Sequence, residues 1–120
     1  MELAKLMIFV PDLAEAKRFY RDVLGFALRE EDGDRLVFAH GGCDLLAFRC
    51  DRPAPVGEYS REARSVFVFG VASVDDSMRE LRARGVRFLH ERPAENALGR
   101  YAAFVDPFGI VHEIFQPRVG

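Results

Sequence analysis

The sequence repeats one pattern twice, and this repeat restricts the folds that the chain can form. Each half begins with an apolar run, continues into an amphipathic helix that ends at a glycine, and then contains three strand-like runs. The two segments that contain the apolar run and the helix are KLMIFVPDLAEAKRFYRDVLGFAL and SVFVFGVASVDDSMRELRARGVRFL. Such a repeat indicates that neither half buries its sheet alone, so the halves pack together or pair across a dimer.

Each predicted helix has its own start and stop signals. Asp12 is followed three residues later by Glu15, the spacing of a residue that accepts the free N–H groups of a first helical turn. Ser73 takes the same place in the second half. Gly25 and Gly85 follow the apolar stripes, and glycine ends helices because it adopts positive φ at little cost. The pattern therefore predicts one short, capped helix in each half.

Three strand-like runs follow each helix and are separated by Gly, Pro and Asp residues typical of hairpin turns. They are FALRE, RLVFAH and DLLAF in the first half, and VRFLH, RYAAFV and IVHEIF in the second. The stretch 51–64 is polar, contains two prolines and has no period, which is typical of a linker. The sequence therefore predicts a single α+β domain of two βαβββ modules, residues 1–50 and 65–120, joined by the linker 51–64.

Composition excludes several function classes. The 120 residues carry 17 basic and 19 acidic side chains without a basic block, so nucleic acid is not an expected partner. The sequence has neither an apolar run of the roughly 20 residues that a membrane span needs nor a secretory signal pattern, which predicts a cytoplasmic protein without membrane contact. Cys43 and Cys50 have neither redox nor zinc spacing and are expected to be free thiols.

Two motifs resemble the vicinal oxygen chelate superfamily, which contains the glyoxalase I, bleomycin-resistance and extradiol dioxygenase-like proteins. They are FVPDLAEAKRFYRDVLGF at 9–26 and GRYAAFVDPFGIVHEIFQ at 99–116, and the resemblance covers nearly the whole chain. It implies paired βαβββ modules whose curved mixed sheets surround a cavity, usually in a homodimer. Neither motif is specific for one reaction.

In metal-dependent members of that superfamily, side chains from the first and fourth strands of each module hold a divalent ion. By resemblance the four positions fall at Lys5, Leu46, Val66 and Glu113. The amine of a lysine is protonated at neutral pH, and leucine and valine have no donor atom. One carboxylate does not hold a catalytic ion, so no metal and no other cofactor is expected, with a divalent metal as the alternative.

Strand alternation separates the neighbours His112 and Glu113 onto opposite faces of the last strand, with Glu113 toward the cavity. The same alternation predicts an apolar cavity lining, which either binds a small molecule or simply packs the core between the modules. Its predicted members are Met7, Phe9, Leu46, Phe48, Val66, Val68 and Phe115.

A few polar side chains are candidate ligand contacts. His90 precedes the loop ERPAENALG, which in the superfamily often closes over the ligand, so His90 either contacts the ligand or lies at the surface. Tyr59 is either a lid residue or a mobile surface aromatic. Glu113 either pairs with Lys5 or another cation, or acts as a general base of raised pKa. Arg35, Arg100 and Tyr101 are further polar candidates whose facing the sequence leaves open.

The sequence favours a metal-free homodimer that binds an apolar or aromatic small molecule between the modules, with Glu113 and Lys5 as polar contacts. Three alternatives stay open at this point. They are a metal-dependent lyase or dioxygenase that uses Glu113 with donors such as His90 or a residue of the dimer partner, a metal-free isomerase or epimerase with Glu113 as the base, and a structural interaction module.

Overall fold

The computed structural model describes residues 1–119 and divides the chain into two compact units. Unit 1 is Met1–Pro55, and unit 2 begins at Val56. The division falls inside the stretch 51–64 that the sequence predicts as the linker.

Unit 1 is a four-stranded mixed sheet with one helical segment. Its strand order is β1-β4-β3-β2, with β1 parallel to β4 and the remaining neighbours antiparallel. In chain order its elements are β1 (Lys5–Val10), α1 (Leu13–Lys17), a π-helical turn (Arg18–Val23), β2 (Ala27–Glu31), β3 (Arg35–Ala39) and β4 (Asp44–Arg49).

Unit 2 repeats this topology. Its strand order is β5-β9-β8-β6, again with one parallel pair, β5 with β9, and β7 pairs with β8 outside this path. The predicted α+β fold, two βαβββ units with curved mixed sheets, is therefore confirmed. Its elements are β5 (Phe67–Gly70), α2 (Val74–Ala83), β6 (Arg87–Phe88), β7 (Ala94–Glu95), β8 (Gly99–Val105) and β9 (Val111–Pro117).

The predicted helix signals are confirmed at both N-termini. The Asp12 carboxylate accepts the backbone N–H of Glu15 at 3.1 Å, and the Ser73 hydroxyl accepts that of Asp76 at 3.2 Å. Each bond satisfies a donor that has no partner inside the helix. Gly25 and Gly85 follow the helical segments with φ of +82° and +90°.

The first helix differs from the predicted α-helix, because it continues as a π-helical turn. The N–H of Leu24 donates to the carbonyl oxygen of Phe19 at 2.9 Å, five residues earlier. Phe19 and the following Tyr20 are both buried, and Tyr20 packs against Phe26 and Phe38. The apolar spacing indicates a helix but does not distinguish the wider turn that accompanies the burial of these two neighbours.

The sixth strand-like run, VRFLH, forms a much shorter strand than expected. Only Arg87–Phe88 pairs with β8, and the N–H of Leu89 makes one further bond to the carbonyl oxygen of Ala103. At the next residue the Nδ1 atom of His90 accepts the N–H of Ala103 at 2.9 Å. The imidazole of His90 thus accepts the N–H of Ala103, which a backbone carbonyl oxygen would accept if the strand continued. The small strand β7 lies in the stretch predicted as a loop.

The two faces of each sheet differ in burial. In unit 2, Ile114 and Phe104 are 3% and 1% exposed on the face that packs against α2, and Gln116 on this face accepts the N–H of Val74 at the start of that helix. In unit 1, Val10 is fully buried while Phe9 is 51% exposed. The face that carries Phe9 in unit 1, and the face away from α2 in unit 2, are called the open faces below.

Candidate ligand-binding site

Glu113 lies in the middle of the open face of unit 2. In the register of the sheet it stands between Val68 on β5 and Ala103 on β8. Val68 is 52% exposed, Glu113 is half-buried and Ala103 is fully buried. Phe115, two residues along β9, pairs with Tyr101 on the same face. The centre of this face is therefore one carboxylate among apolar and aromatic side chains.

Tyr59 donates a hydrogen bond to the Oε2 atom of Glu113 at 2.5 Å. It lies in a turn in which the carbonyl oxygen of Glu58 accepts the N–H of Glu62 at 2.8 Å. Burial, together with the hydrogen bond to the Glu113 carboxylate, raises the pKa of Tyr59 above its ordinary value of 10.0. Tyr59 is therefore a protonated donor at neutral pH that contacts Glu113.

His90 stands between two tyrosine rings. Its ring centroid lies 6.2 Å from that of Tyr59 and 5.6 Å from that of Tyr101, both in edge-to-face geometry. Because Nδ1 accepts the N–H of Ala103, this nitrogen carries no proton, and the proton of the neutral imidazole is on Nε2. His90 therefore presents an N–H donor from Nε2.

Arg100 does not belong to the open face. Its guanidinium pairs with Asp75 at the start of α2 at 2.9 Å and also with Glu95 on β7. Arg35, which pairs in register with Phe48 on the open face of unit 1, contacts Asp32 at 3.5 Å. Of the three polar candidates whose facing the sequence leaves open, only Tyr101 lies beside Glu113.

The open face of unit 1 combines exposed apolar side chains with charged groups. Met7 is 46% exposed, and the rings of Phe9 and Phe48 lie 6.3 Å apart. Lys5 pairs in register with Asp44, a buried carboxylate that forms an ion pair with Arg29. The face is apolar at its centre and charged at the start of β1.

The donor set at the superfamily's metal positions does not fit a divalent ion. In unit 1 the positions hold Lys5, which is exposed, and Leu46, which is 7% exposed. In unit 2 they hold Val66, just before β5, and Glu113. Within residues 1–119, no three His, Cys, Asp or Glu side chains converge as a metal-binding group. Only one of the four positions offers a donor atom.

His90 does not supply a further metal ligand in the conformation observed. A neutral histidine that binds a metal through Nε2 carries its proton on Nδ1, usually donated to a carbonyl or carboxylate oxygen. Here Nδ1 faces the N–H of Ala103, so a proton on Nδ1 would point at another donor. His90 is therefore oriented to donate a hydrogen bond rather than to coordinate an ion.

The structure thus brings one group of candidate residues together within each unit. Lys5, Met7, Phe9, Leu46 and Phe48 lie on the open face of unit 1, and Val68, His90, Tyr101, Glu113 and Phe115 lie on or beside that of unit 2, with Val66 just before β5. The pairing of Lys5 with Glu113 stays a prediction.

The sequence did not reveal two contacts of these open faces. The Tyr59 hydroxyl meets Glu113 across 54 positions of sequence, from a segment without periodicity, and no local pattern points to such a contact. The pairing of Asp44 with Arg29 joins β4 to β2 across the intervening β3. The charge of Asp44 at the start of an apolar strand is the one signal that a partner is required.

Comparisons with known proteins identify the family. The profile of the Glyoxalase/Bleomycin resistance protein/Dioxygenase superfamily matches residues 2–114, so this chain belongs to that superfamily. No curated protein sequence matches it. In the part of the chain that the structure describes, no helix has the length and apolar character required to cross a membrane.

Solved structures with the same fold have different recorded roles. SMU.1112c is 27% identical, with 96% of this chain and 98% of that chain covered and a TM-score of 0.80. TnmS3, an antibiotic binding protein from Streptomyces sp. CB03234, is 26% identical, with 98% and 97% covered and a TM-score of 0.73. Lactoylglutathione lyase from Agrobacterium tumefaciens, at 21% identity, 96% and 92% coverage and a TM-score of 0.71, shares the fold.

Proposed function

We propose that this protein is a metal-free small-molecule-binding member of the superfamily, and that its ligand is apolar or aromatic. The observation that carries the proposal is the open face of unit 2, where Glu113 accepts a hydrogen bond from Tyr59 and stands beside Val68 rather than beside other metal donors. The antibiotic binding role of TnmS3 shows that a related protein of this fold binds a small molecule.

Exposed apolar side chains support the proposal in both units. Met7 and Phe9 on β1 are 46% and 51% exposed, and Val68 on β5 is 52% exposed. Large apolar side chains grouped on one sheet face are costly to leave in water and mark surfaces that bind something. Together with a few polar groups, they form the kind of lining that small-molecule sites have.

The polar groups of unit 2 determine how a ligand is oriented. Glu113 is an acceptor, while the Nε2–H of His90 is a donor. A ligand with an apolar body then makes a small number of directional bonds and gains most of its binding free energy from the apolar area that it covers. We also propose that the protein is a cytoplasmic homodimer. Light scattering of the purified protein tests its oligomeric state.

A titration with an aromatic probe tests this function. Naphthylmethanol is titrated into the full chain by calorimetry, with and without EDTA. We expect binding that EDTA leaves unchanged. We expect Val68→Asp to weaken it about tenfold, since one valine-sized apolar contact contributes about 1.5 kcal/mol. Val119→Asp is the matched control, because Val119 is 92% exposed near the C-terminus.

The opposite outcome supports the metal-dependent alternative. If EDTA abolished binding and a divalent ion restored it, the metal-free proposal would be wrong. Binding that Val68→Asp and Val119→Asp leave equally unchanged would contradict the assignment of the ligand to the open face.

A further inference from the structure

Glu113 is a half-buried carboxylate with one hydrogen-bond partner within unit 2. Tyr59 donates one hydrogen bond to Oε2. Within residues 1–119, no Lys, Arg or His of unit 2 lies within salt-bridge distance of Glu113, and Oε1 accepts no hydrogen bond. Oε1 is not among the buried polar atoms that lack a partner, so it remains open at the surface of the site. A ligand that carries a positive charge or a donor can therefore reach it.

Three rings form a chain of contacts that begins at this carboxylate. Tyr59 contacts it directly, His90 lies edge-to-face with Tyr59, and Tyr101 lies edge-to-face with His90. Tyr101 is also the diagonal neighbour of Glu113 across β8 and β9, a position within reach of a long or aromatic side chain. Aromatic faces carry partial negative charge and attract ammonium groups. The cluster of Glu113, Tyr59, His90 and Tyr101 is called the aromatic box below.

Two arginines of unit 2 that border this region are already engaged elsewhere. Arg100 pairs with Asp75 and Glu95. Arg82 donates to the carbonyl oxygens of His90 and Glu91 and lies over the ring of Phe88, which belongs to the face packed against α2. Neither guanidinium pairs with Glu113, so both leave its Oε1 atom available to a ligand.

We infer that the aromatic box selects an organic cation, a protonated amine or quaternary ammonium group attached to an apolar or aromatic body. The cation contacts Oε1 of Glu113 and the faces of Tyr59 and Tyr101, and the apolar body covers Val68 and Phe115. This inference rests on the proposed small-molecule function and adds the chemical class of the ligand to it.

Three probes of the same shape and different charge test the inference. Naphthylmethylamine is a cation at neutral pH, naphthylmethanol is neutral and naphthoate is an anion, and calorimetry gives their affinities for the full chain. We expect the amine to bind about tenfold more tightly than the alcohol, and naphthoate most weakly, because cation–π and carboxylate contacts act together.

Variants locate the preference. In Glu113→Gln we expect the preference for the amine over the alcohol to fall several-fold, because the carboxylate charge is removed while the tyrosine faces remain. Glu80→Gln is the matched control, since it removes a carboxylate from the exposed surface of α2 and should leave the preference intact. In the unaltered protein, added salt should weaken amine binding and spare alcohol binding, which keeps the inference testable if Glu113→Gln fails to fold.

Each remaining outcome decides between the two proposals. Equal binding of amine and alcohol by the unaltered protein would overturn the cation inference and leave the small-molecule function standing. An amine preference that is undiminished in Glu113→Gln would place the cation elsewhere and overturn the assignment to the aromatic box. If none of the three probes bound, the proposed function would fail together with the inference.

Discussion

Adjacent residues on β9 show how differently the two faces of one sheet are used. His112 is 1% exposed, and its ring lies 5.7 Å from Phe67 and 5.6 Å from Phe104. Glu113, one residue later, is half-buried and bonded to Tyr59. Strand alternation puts them on opposite faces, so the histidine belongs to the packed core and the glutamate to the open face.

His112 and Glu113 can both transfer protons and are adjacent in sequence, but the two faces of the sheet give them different environments. Burial lowers the pKa of His112 from 6.5 to about 4, so it is a neutral core residue at physiological pH. Glu113 lies on the opposite face of the sheet from α2, so the helix of unit 2 does not cover it. Substitutions on the packed face should therefore lower stability, and substitutions on the open face should mainly change ligand binding.

The largest expected effect is a loss of stability from the packed face. Phe104 is 1% exposed and contacts Phe88 and His112, so Phe104→Ala should lower the free energy of unfolding by about 3–5 kcal/mol. Phe115→Ala on the open face is the matched control and should cost about 1 kcal/mol. Urea unfolding of both variants measures the difference, and equal losses would contradict the distinction between the faces.

The next effect is a dependence of stability on pH through His112. Its pKa is about 4 in the folded protein, against 6.5 when exposed, so the unfolded chain binds a proton between these values that the folded chain does not. The contribution of neutral His112 to the free energy of unfolding is therefore fully present above pH 6.5. It is lost as the pH drops toward 4, and it amounts to about 3 kcal/mol at most. Unfolding curves of the unaltered protein and His112→Leu across this range measure the contribution.

His112→Leu should remove that part of the pH dependence while the acidic residues contribute theirs in both proteins. Equal slopes in the two proteins between pH 6.5 and 4 would show that His112 is not held neutral by burial.

On the open face, we expect a substitution of Glu113 to change the pKa of Tyr59 rather than the stability of the protein. The hydrogen bond to Glu113 helps to raise the pKa of Tyr59, so Glu113→Gln should bring that pKa closer to the ordinary value of 10.0. Ultraviolet absorbance of tyrosinate against pH measures it. Tyr59→Phe identifies which step of the titration belongs to Tyr59, because Tyr20 and Tyr101 remain. An unchanged titration in Glu113→Gln would contradict the contact.

The smallest effect is expected from Tyr59→Phe on folding. The variant loses one hydrogen bond on a partly exposed surface, so the free energy of unfolding should fall by about 1 kcal/mol or less. A loss comparable with that of Phe104→Ala would mean that the turn containing Tyr59 is part of the core rather than of the site.

Most of the fold follows from local sequence patterns. The caps at Asp12 and Ser73, the glycines after the helices and the strand alternation are short-range features, and the structure has them where the sequence predicts them. The repeat extends to the register, since Met7 pairs with Leu46 in unit 1 as Val68 pairs with Glu113 in unit 2. The π-helical turn and the early end of β6 depend on tertiary contacts and have no local signal.

Less of the site follows from sequence. Alternation placed Glu113 and Val68 on one face, but it carried no information about Tyr59, which reaches Glu113 from an aperiodic segment. Nor did it show that the Nδ1 atom of His90 would be occupied by the N–H of Ala103, which depends on where β6 ends. Contacts made by irregular segments depend on the folded path of the whole unit, and a periodic pattern does not encode them.

The central claim is that Glu113 acts as a ligand contact and not as a metal ligand. Metal analysis by mass spectrometry of protein purified without added metal, compared with Glu113→Ala prepared in the same way, tests it most directly. We expect both samples to contain far less than one divalent ion per chain and not to differ. About one tightly bound ion per chain in the unaltered protein, lost in Glu113→Ala, would contradict it.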